Sequence, residues 1–240
     1  GIRIMIISLD KTWRSELLFN PARNAEGELQ GLEIVVNFVG VNRVAQAPAE
    51  LILPHLTPQQ SEMLFIEQLH LLSVCQHFFI QHQIAAWINI TPAVVERLLR
   101  DDDLAASVNR YPLIELMVNE NYLNLNSESE NSLLSQLSSR FTLVLANFGA
   151  GAASTRAVFK GLFARVRLDK HFVSQRLKSP SFQPFMQAII TQVEPYCRSI
   201  MIAGIDSEQM LKKVRAFAFS AMQGSLWPPL LPEQITELVR

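Results

Sequence analysis

Residues 85–118 read AAWINITPAVVERLLRDDDLAASVNRYPLIELMV. Two short β-rich runs, Ala85–Ile90 and Leu113–Val118, bracket a helical pattern. Thr91-Pro92 supplies an N-cap oxygen followed by proline at the first helical position. A strand, a helix and a strand in that order form a βαβ unit, which demands a parallel sheet covered by helices.

The pattern continues in both directions. Further β-rich runs lie at Leu17–Phe19, Leu32–Phe38, Thr142–Ala146, Arg165–Leu168, Ser199–Ala203 and Phe219–Met222. Gln59–Gln81 is the longest helical pattern, with Leu64, Phe65, Leu69, Leu71, Leu72, Cys75, Phe78 and Phe79 in one sector. Glu67, His70, His77 and Gln81 fall opposite, giving an expected amphipathic helix on a sheet. Ser207 caps a later helix, and Pro232 opens a final helical segment. Asn126–Asn131 reads as a surface loop leading into a helix. With about eight strands, a closed (β/α)8 TIM-like barrel is the simplest α/β architecture. The connector between the first two runs, Asn20–Gly31, is turn-rich and too short for a crossover helix. An antiparallel first strand pair is therefore expected.

The 240 residues, 49% of them hydrophobic and 18% charged, can build a sizeable core and are expected to form one domain over 1–240. Residues 1–4 read as an expression scar before Met5. The formal charge of −1 excludes bulk attraction to phosphate as the design, so no direct nucleic-acid contact is expected. Cys75 and Cys197, without a C-x-x-C, read as buried thiols in a reducing compartment. No uninterrupted apolar run reaches the ~18 residues of a membrane span. Ile4–Ile7, ended by Asp10, is too short for a signal-peptide core. The expected setting is the cytoplasm.

In a parallel barrel, chemistry sits at the carboxyl ends of the strands. There the sequence places Glu33, Asn89, Asn119, Glu120, Asn147, Asp169, Asp206 and Gln223. Together with VNENY (118–122), NFGAG (147–151) and LDK (168–170), this series resembles the EAL domain family of cyclic di-GMP phosphodiesterases from about Leu17 to Leu231. The resemblance implies an EAL-type barrel and, in active members, two divalent cations that activate a water. Hard cations of that kind take anionic oxygens.

Position by position, the resemblance implies a vestigial site. Glu33 is the motif glutamate, although the motif reads EIV. Asn89 and Gln223 keep metal-site positions, and Glu120 and Asp169 survive beside replaced neighbours. Met117 and Ala203 stand at glutamate positions, Ala146 and Asn147 at the paired aspartates, and Arg167 at the catalytic lysine. A substrate-phosphate arginine falls on Asn37, an early glutamine on Asn20, and a late glutamate has become Asp206. Met117 and Ala146 offer no hard ligand, and Arg167 stays protonated near neutral pH. A catalytically inactive site without cofactor is expected.

Several residues keep two readings. Glu33 is a residual ligand or a polar remnant at the mouth. Asn89 orients a ligand or closes a strand end. Arg167 grips a phosphate or pairs with Glu120 or another mouth carboxylate. The histidines His55, His70, His77, His82 and His171 read as solvated, and LWPPLLP (226–232) closes the barrel or meets a partner. The resemblance to degenerate family members implies a protein client, the flagellar master regulator FlhDC held through FlhD, with ClpXP proteolysis downstream. The alternative is a divergent cyclic di-GMP phosphodiesterase, with Mg²⁺ or Mn²⁺ held by Glu33, Glu120, Asp169 and Asp206, or a binding sensor. Asn37 and Asn20 count against tight dinucleotide binding.

Overall fold

The antiparallel hairpin of β2 (Thr12–Arg23) and β3 (Leu29–Gly40) organises the architecture. Its turn is built by Asn24, whose Oδ1 accepts from the Glu26 and Glu28 amides at 3.1 and 2.9 Å, with Gly27 at φ +82°. A computed structural model describes residues 6–8, 12–42, 45–120, 128–151 and 155–239. The readings of residues 1–5, Asp10, Tyr122, Asn126 and Ser127 lie outside it.

The parallel strands follow in chain order after a short edge strand. β1 is Ile6–Ser8, and β4, Gln46–Pro48, pairs on the outside of β3. Next come β5 (Ala85–Ile90), β6 (Ile114–Val118), β7 (Leu143–Phe148), β8 (Arg165–Leu168), β9 (Ser199–Ile202) and β10 (Ala221–Met222). The sheet order runs β2-β10-β9-β8-β7-β6-β5-β3, and the β2–β3 pairing closes it into an eight-stranded barrel. β2 is antiparallel to both of its ring neighbours, and the other ring pairings are parallel. The expected first antiparallel pair is thus present, with both strands longer than the β-rich runs. The ladder extends through polar cross-strand partners such as Asn20 opposite Glu33, which a run of apolar letters does not mark.

Strand alternation separates two apolar environments. Ile88, Ile90, Leu116, Val118, Leu145, Val166, Leu168 and Ile202 face outward into the helix layer. Ala22, Ala85, Trp87, Met117, Val144, Ala146, Met201 and Ala221 fill the barrel interior. Trp87 is fully buried and has one backbone neighbour that makes room for it. A Cβ on Gly31 would collide with the Trp87 ring. Beneath Trp87, Arg165 pairs with Glu115 at 2.7 Å, and the Trp87 indole donates to the same Glu115 carboxylate at 2.9 Å.

The tail completes the wall. β10 has two residues and meets β2 only at Met222–Arg23. Phe19 and Leu230 then exchange both backbone hydrogen bonds at 2.8 Å. The LWPPLLP stretch is a strap across β2, as the barrel-closing reading expects.

The long helix spans Pro58–His82. Thr57 and Gln60 form a reciprocal capping box ahead of Pro58, and Gln83 ends the helix at φ +52°. By length and composition this helix would suffice to cross a bilayer. Its glutamines and histidines interrupt the apolar letters, so no uninterrupted apolar run marks it. Half of its most apolar stretch is buried against the barrel. Other expectations are corrected here. Glu67 is buried and accepts from Ser15 Oγ at 2.9 Å, because the hairpin covers that side of the helix. Glu128–Asn131 belong to a helix, Glu128–Ser138. The two cysteines are half-buried, and Cys197 follows a 3₁₀ turn; burial raises both thiol pKa values.

Candidate functional site at the barrel mouth

Glu33 on β3 and Arg167 on β8 point to the same interior, although 134 residues separate them. Arg167 Nη1 donates to Glu33 Oε1 at 2.7 Å and to Gln223 Oε1 at 2.7 Å. Its Nε donates to the Ala146 carbonyl at 2.8 Å. Gln223 Nε2 donates to Glu33 Oε1 at 3.0 Å, and Asn89 Nδ2 donates to Glu33 Oε2 at 2.7 Å. One carboxylate, one guanidinium and two amides therefore form a closed network at the strand ends. The Arg167 side chain is 13% exposed and that of Glu33 7%.

Burial by itself would raise the Glu33 pKa. The Arg167 charge, with hydrogen bonds from Arg167, Asn89 and Gln223, outweighs it and holds the carboxyl below its ordinary value. Glu33 is ionised because a guanidinium sits against it.

The other strand-end residues have separate engagements. Asn147 Oδ1 accepts from the Glu120 amide at 2.8 Å, and its Nδ2 donates to Asn119 Oδ1 at 3.1 Å. The Glu120 carboxylate lies against Gly151 in the NFGAG turn. Asp169 caps the helix Lys170–Leu177 through the amides of His171 and Phe172. Asp206 is exposed and accepts from the Ser225 amide and hydroxyl at 2.9 Å. Met117 and Ala146 are buried in the barrel filling, and Ala203 is half-buried beyond β9. Asn37 shares with Glu33, Asn89, Asn119 and Arg167 the lining of a cleft of about 390 Å³ at the mouth, while Asn20 is the ladder partner of Glu33.

Arg167 pairs with Glu33, not with Glu120. The role of the Ala146 carbonyl has no sequence signal, since it is a backbone atom chosen by the reach of the guanidinium. Among the described residues, no group of three His, Cys, Asp or Glu side chains converges as a metal set. The donor chemistry is also of the wrong sign for cations. Three N–H groups aim at the Glu33 oxygens, and the position beside them already carries a positive charge. The residues present do not fit the two divalent cations of the active family.

A family model described as EAL domain matches residues 11–229. The chain belongs to the EAL domain family. An EAL-family relative, the anti-FlhC(2)FlhD(4) factor YdiV of Salmonella typhimurium strain LT2, is 48% identical over 236 residues, covering 98% of this chain and 100% of that protein. The putative anti-FlhC(2)FlhD(4) factor YdiV of Escherichia coli K12 is 43% identical with the same coverage. The crystal structure of the EAL-like domain protein YdiV superposes with a TM-score of 0.87 at 44% identity, covering 94% of this chain and 96% of that one. PaMucR phosphodiesterase in complex with c-di-GMP reaches a TM-score of 0.73 at 15% identity, covering 92% of this chain and 94% of that one, a likeness of fold alone.

Proposed function

We propose that this EAL-family chain is a non-catalytic regulator that binds the flagellar activator FlhC(2)FlhD(4) and lowers flagellar gene expression and motility. The observation that carries the absence of catalysis is the Arg167 guanidinium between Glu33 and Gln223. A buried cation there opposes a second, divalent one, because like charges at such distances repel strongly in a low dielectric. The choice of client rests on near-full-length relatives that carry the name of anti-FlhC(2)FlhD(4) factors. In this reading the contact is made through FlhD, in the cytoplasm, and ClpXP degrades the released activator. The chain itself touches no DNA and takes no cofactor.

The phosphodiesterase alternative needs Glu33, Glu120, Asp169 and Asp206 to converge. Each has a different local neighbourhood, so no specific observation favours it. The test mixes purified chain with purified FlhC(2)FlhD(4) and follows co-elution and release of promoter DNA. A parallel sample is assayed for cyclic di-GMP hydrolysis with Mn²⁺. Co-elution with DNA release and no linear product is the expected result. Turnover of the dinucleotide, or failure to bind the activator, overturns the reading.

A further inference from the structure

The formal charge of −1 averages over two unlike parts of the chain. Residues 155–220 hold eleven of the 21 Lys and Arg residues but only four of the 22 Asp and Glu residues. Two of those cations are bound inside the barrel, Arg165 to Glu115 and Arg167 to Glu33. The other nine are exposed, and among the described residues none of them pairs with a carboxylate.

Five of the nine gather in one place. Lys213 Nζ donates to the Leu177 carbonyl at 3.4 Å, which sets the end of the helix Glu208–Val214 beside the end of the helix Lys170–Leu177. Arg176 and Lys178 flank Leu177 in the chain, and Lys212 and Arg215 stand within two residues of Lys213. The Arg176 guanidinium lies over the Phe185 ring, 4.2 Å from its centroid, which holds the charge at the surface. Phe182 meets Phe217 with ring centroids 6.4 Å apart, so the turn that carries Arg215 belongs to the same surface. The stretches that supply the five, 170–193 and 209–232, contain no Asp or Glu. A cation in the last turn complements the helix dipole, and one at each helix end would serve. Five side by side repel one another, and no carboxylate of the fold relieves them. A surface of one sign attracts and orients a partner of the other.

We propose that the cluster of Arg176, Lys178, Lys212, Lys213 and Arg215 is the docking face for an acidic surface of the client protein; that the client is FlhC(2)FlhD(4) rests on the reading above. Nucleic acid fits less well. A duplex carries a charge about every 1.7 Å and runs on past a cluster of this size. Along the same helices it would meet Glu194 and Glu208, both exposed. Beyond them, residues 12–142 carry fifteen Asp and Glu against seven Lys and Arg, which repel a long polyanion. An acidic protein face can end where the cluster ends. In a second copy of this chain, a two-fold axis through the cluster sets cations against cations, and a head-to-tail contact stays open unless it closes into a ring.

The test uses the full chain and purified FlhC(2)FlhD(4), with affinity measured by calorimetry from about 50 to about 300 mM NaCl, a range over which exposed charges become screened. Lys178→Glu/Lys212→Glu reverses two exposed charges of the cluster, and Lys178→Gln/Lys212→Gln removes them. Arg100→Glu/Arg110→Glu makes the same change in net charge at exposed helix ends outside residues 155–220. Thermal melts confirm that all three fold. The expected result is a loss of about tenfold or more, with a flatter salt dependence, for the double reversal, and a smaller loss for the glutamine pair. Arg100→Glu/Arg110→Glu should stay within twofold of wild type. Binding by Lys178→Glu/Lys212→Glu within twofold of wild type overturns the docking face while leaving the client standing. No binding by the wild-type chain overturns the client and this assignment together. If the wild-type chain alone binds a random-sequence DNA duplex and the double reversal abolishes it, nucleic acid replaces the acidic protein surface as occupant. A wild-type oligomer that the double reversal splits into monomers does the same for a second copy.

Discussion

Arg167 Nη1 lies 2.7 Å from Glu33 Oε1, and both side chains are nearly withdrawn from water. The guanidinium spans from β8 to β3 across the barrel mouth and is held at its other edge by the Ala146 carbonyl. Buried pairs of this kind gain little over an apolar replacement, but breaking one side is expensive. Arg167→Met should therefore destabilise the chain by about 3–5 kcal/mol, because Glu33 is left charged in a dry site. Glu33→Gln/Arg167→Met should recover most of that loss. Denaturant unfolding of the two variants checks it. A double variant no more stable than Arg167→Met removes the pair from the account.

The same pair sets an acid limit. The Arg167 guanidinium and its neighbours hold the folded Glu33 carboxyl below its ordinary value. A depressed carboxyl stabilises the fold at pH values above its unfolded pKa and loses that contribution as pH falls through the folded value. Wild-type stability should decline below about pH 4.5, by the ordinary titration of an unfolded glutamate. In Glu33→Gln/Arg167→Met the acid limb should be shallower, since both members of the pair are gone. Melts between pH 7 and pH 3 measure it. Parallel limbs in the two proteins would assign the acid sensitivity to other carboxyls.

How much was legible in the sequence follows from what each element depends on. Ala85–Ile90 and Arg165–Leu168 match their strands because local β-rich runs end at capping or turn residues. β2 was legible only in its middle, since Asn20 and Glu16 face partners on β3 and a ladder is a tertiary fact. Glu67 was misplaced for a related reason. A helical wheel treats the side away from the barrel as solvent, and the hairpin brings Ser15 there. At the mouth, the family resemblance located Glu33, Asn89, Arg167 and Gln223 together. Their mutual bonding was not legible, because the partner of Arg167 depends on how far a guanidinium reaches within a closed barrel.

Gly31 and Trp87 give a test of the filling. A Cβ at residue 31 meets the indole ring, which is fixed from behind by its bond to Glu115. Overpacking of this kind costs about 1–3 kcal/mol. Gly31→Ala should lower the melting temperature, while Gly27→Ala acts at a turn where a Cβ meets nothing and suffers only from its positive φ. Gly31→Ala/Trp87→Phe should not restore stability, because removing the indole also removes the donor to Glu115. Full recovery by that pair would mean that ring volume alone sets the cost.

Divalent cations supply the last test, since the site should ignore them. A site with Kd one hundredth of the free cation concentration adds about 2.7 kcal/mol. For a chain of this size that is a rise of roughly 5–10 °C in Tm. Millimolar Mg²⁺ or Mn²⁺ should leave the wild-type melt unmoved, because Glu33 already has Arg167 for a counterion. The combined variant Met117→Glu, Ala146→Asp, Asn147→Asp, Arg167→Lys and Ala203→Glu replaces the guanidinium and introduces oxygens at the family positions. Met117 and Ala146 lie in the barrel filling, so carboxylates there are uncompensated until a cation arrives. That variant should melt lower than wild type in chelator and rise on addition of Mn²⁺. A cation-stabilised wild type would show that Arg167 yields its place, and would return Glu33, Asn89 and Gln223 to the role of ligands.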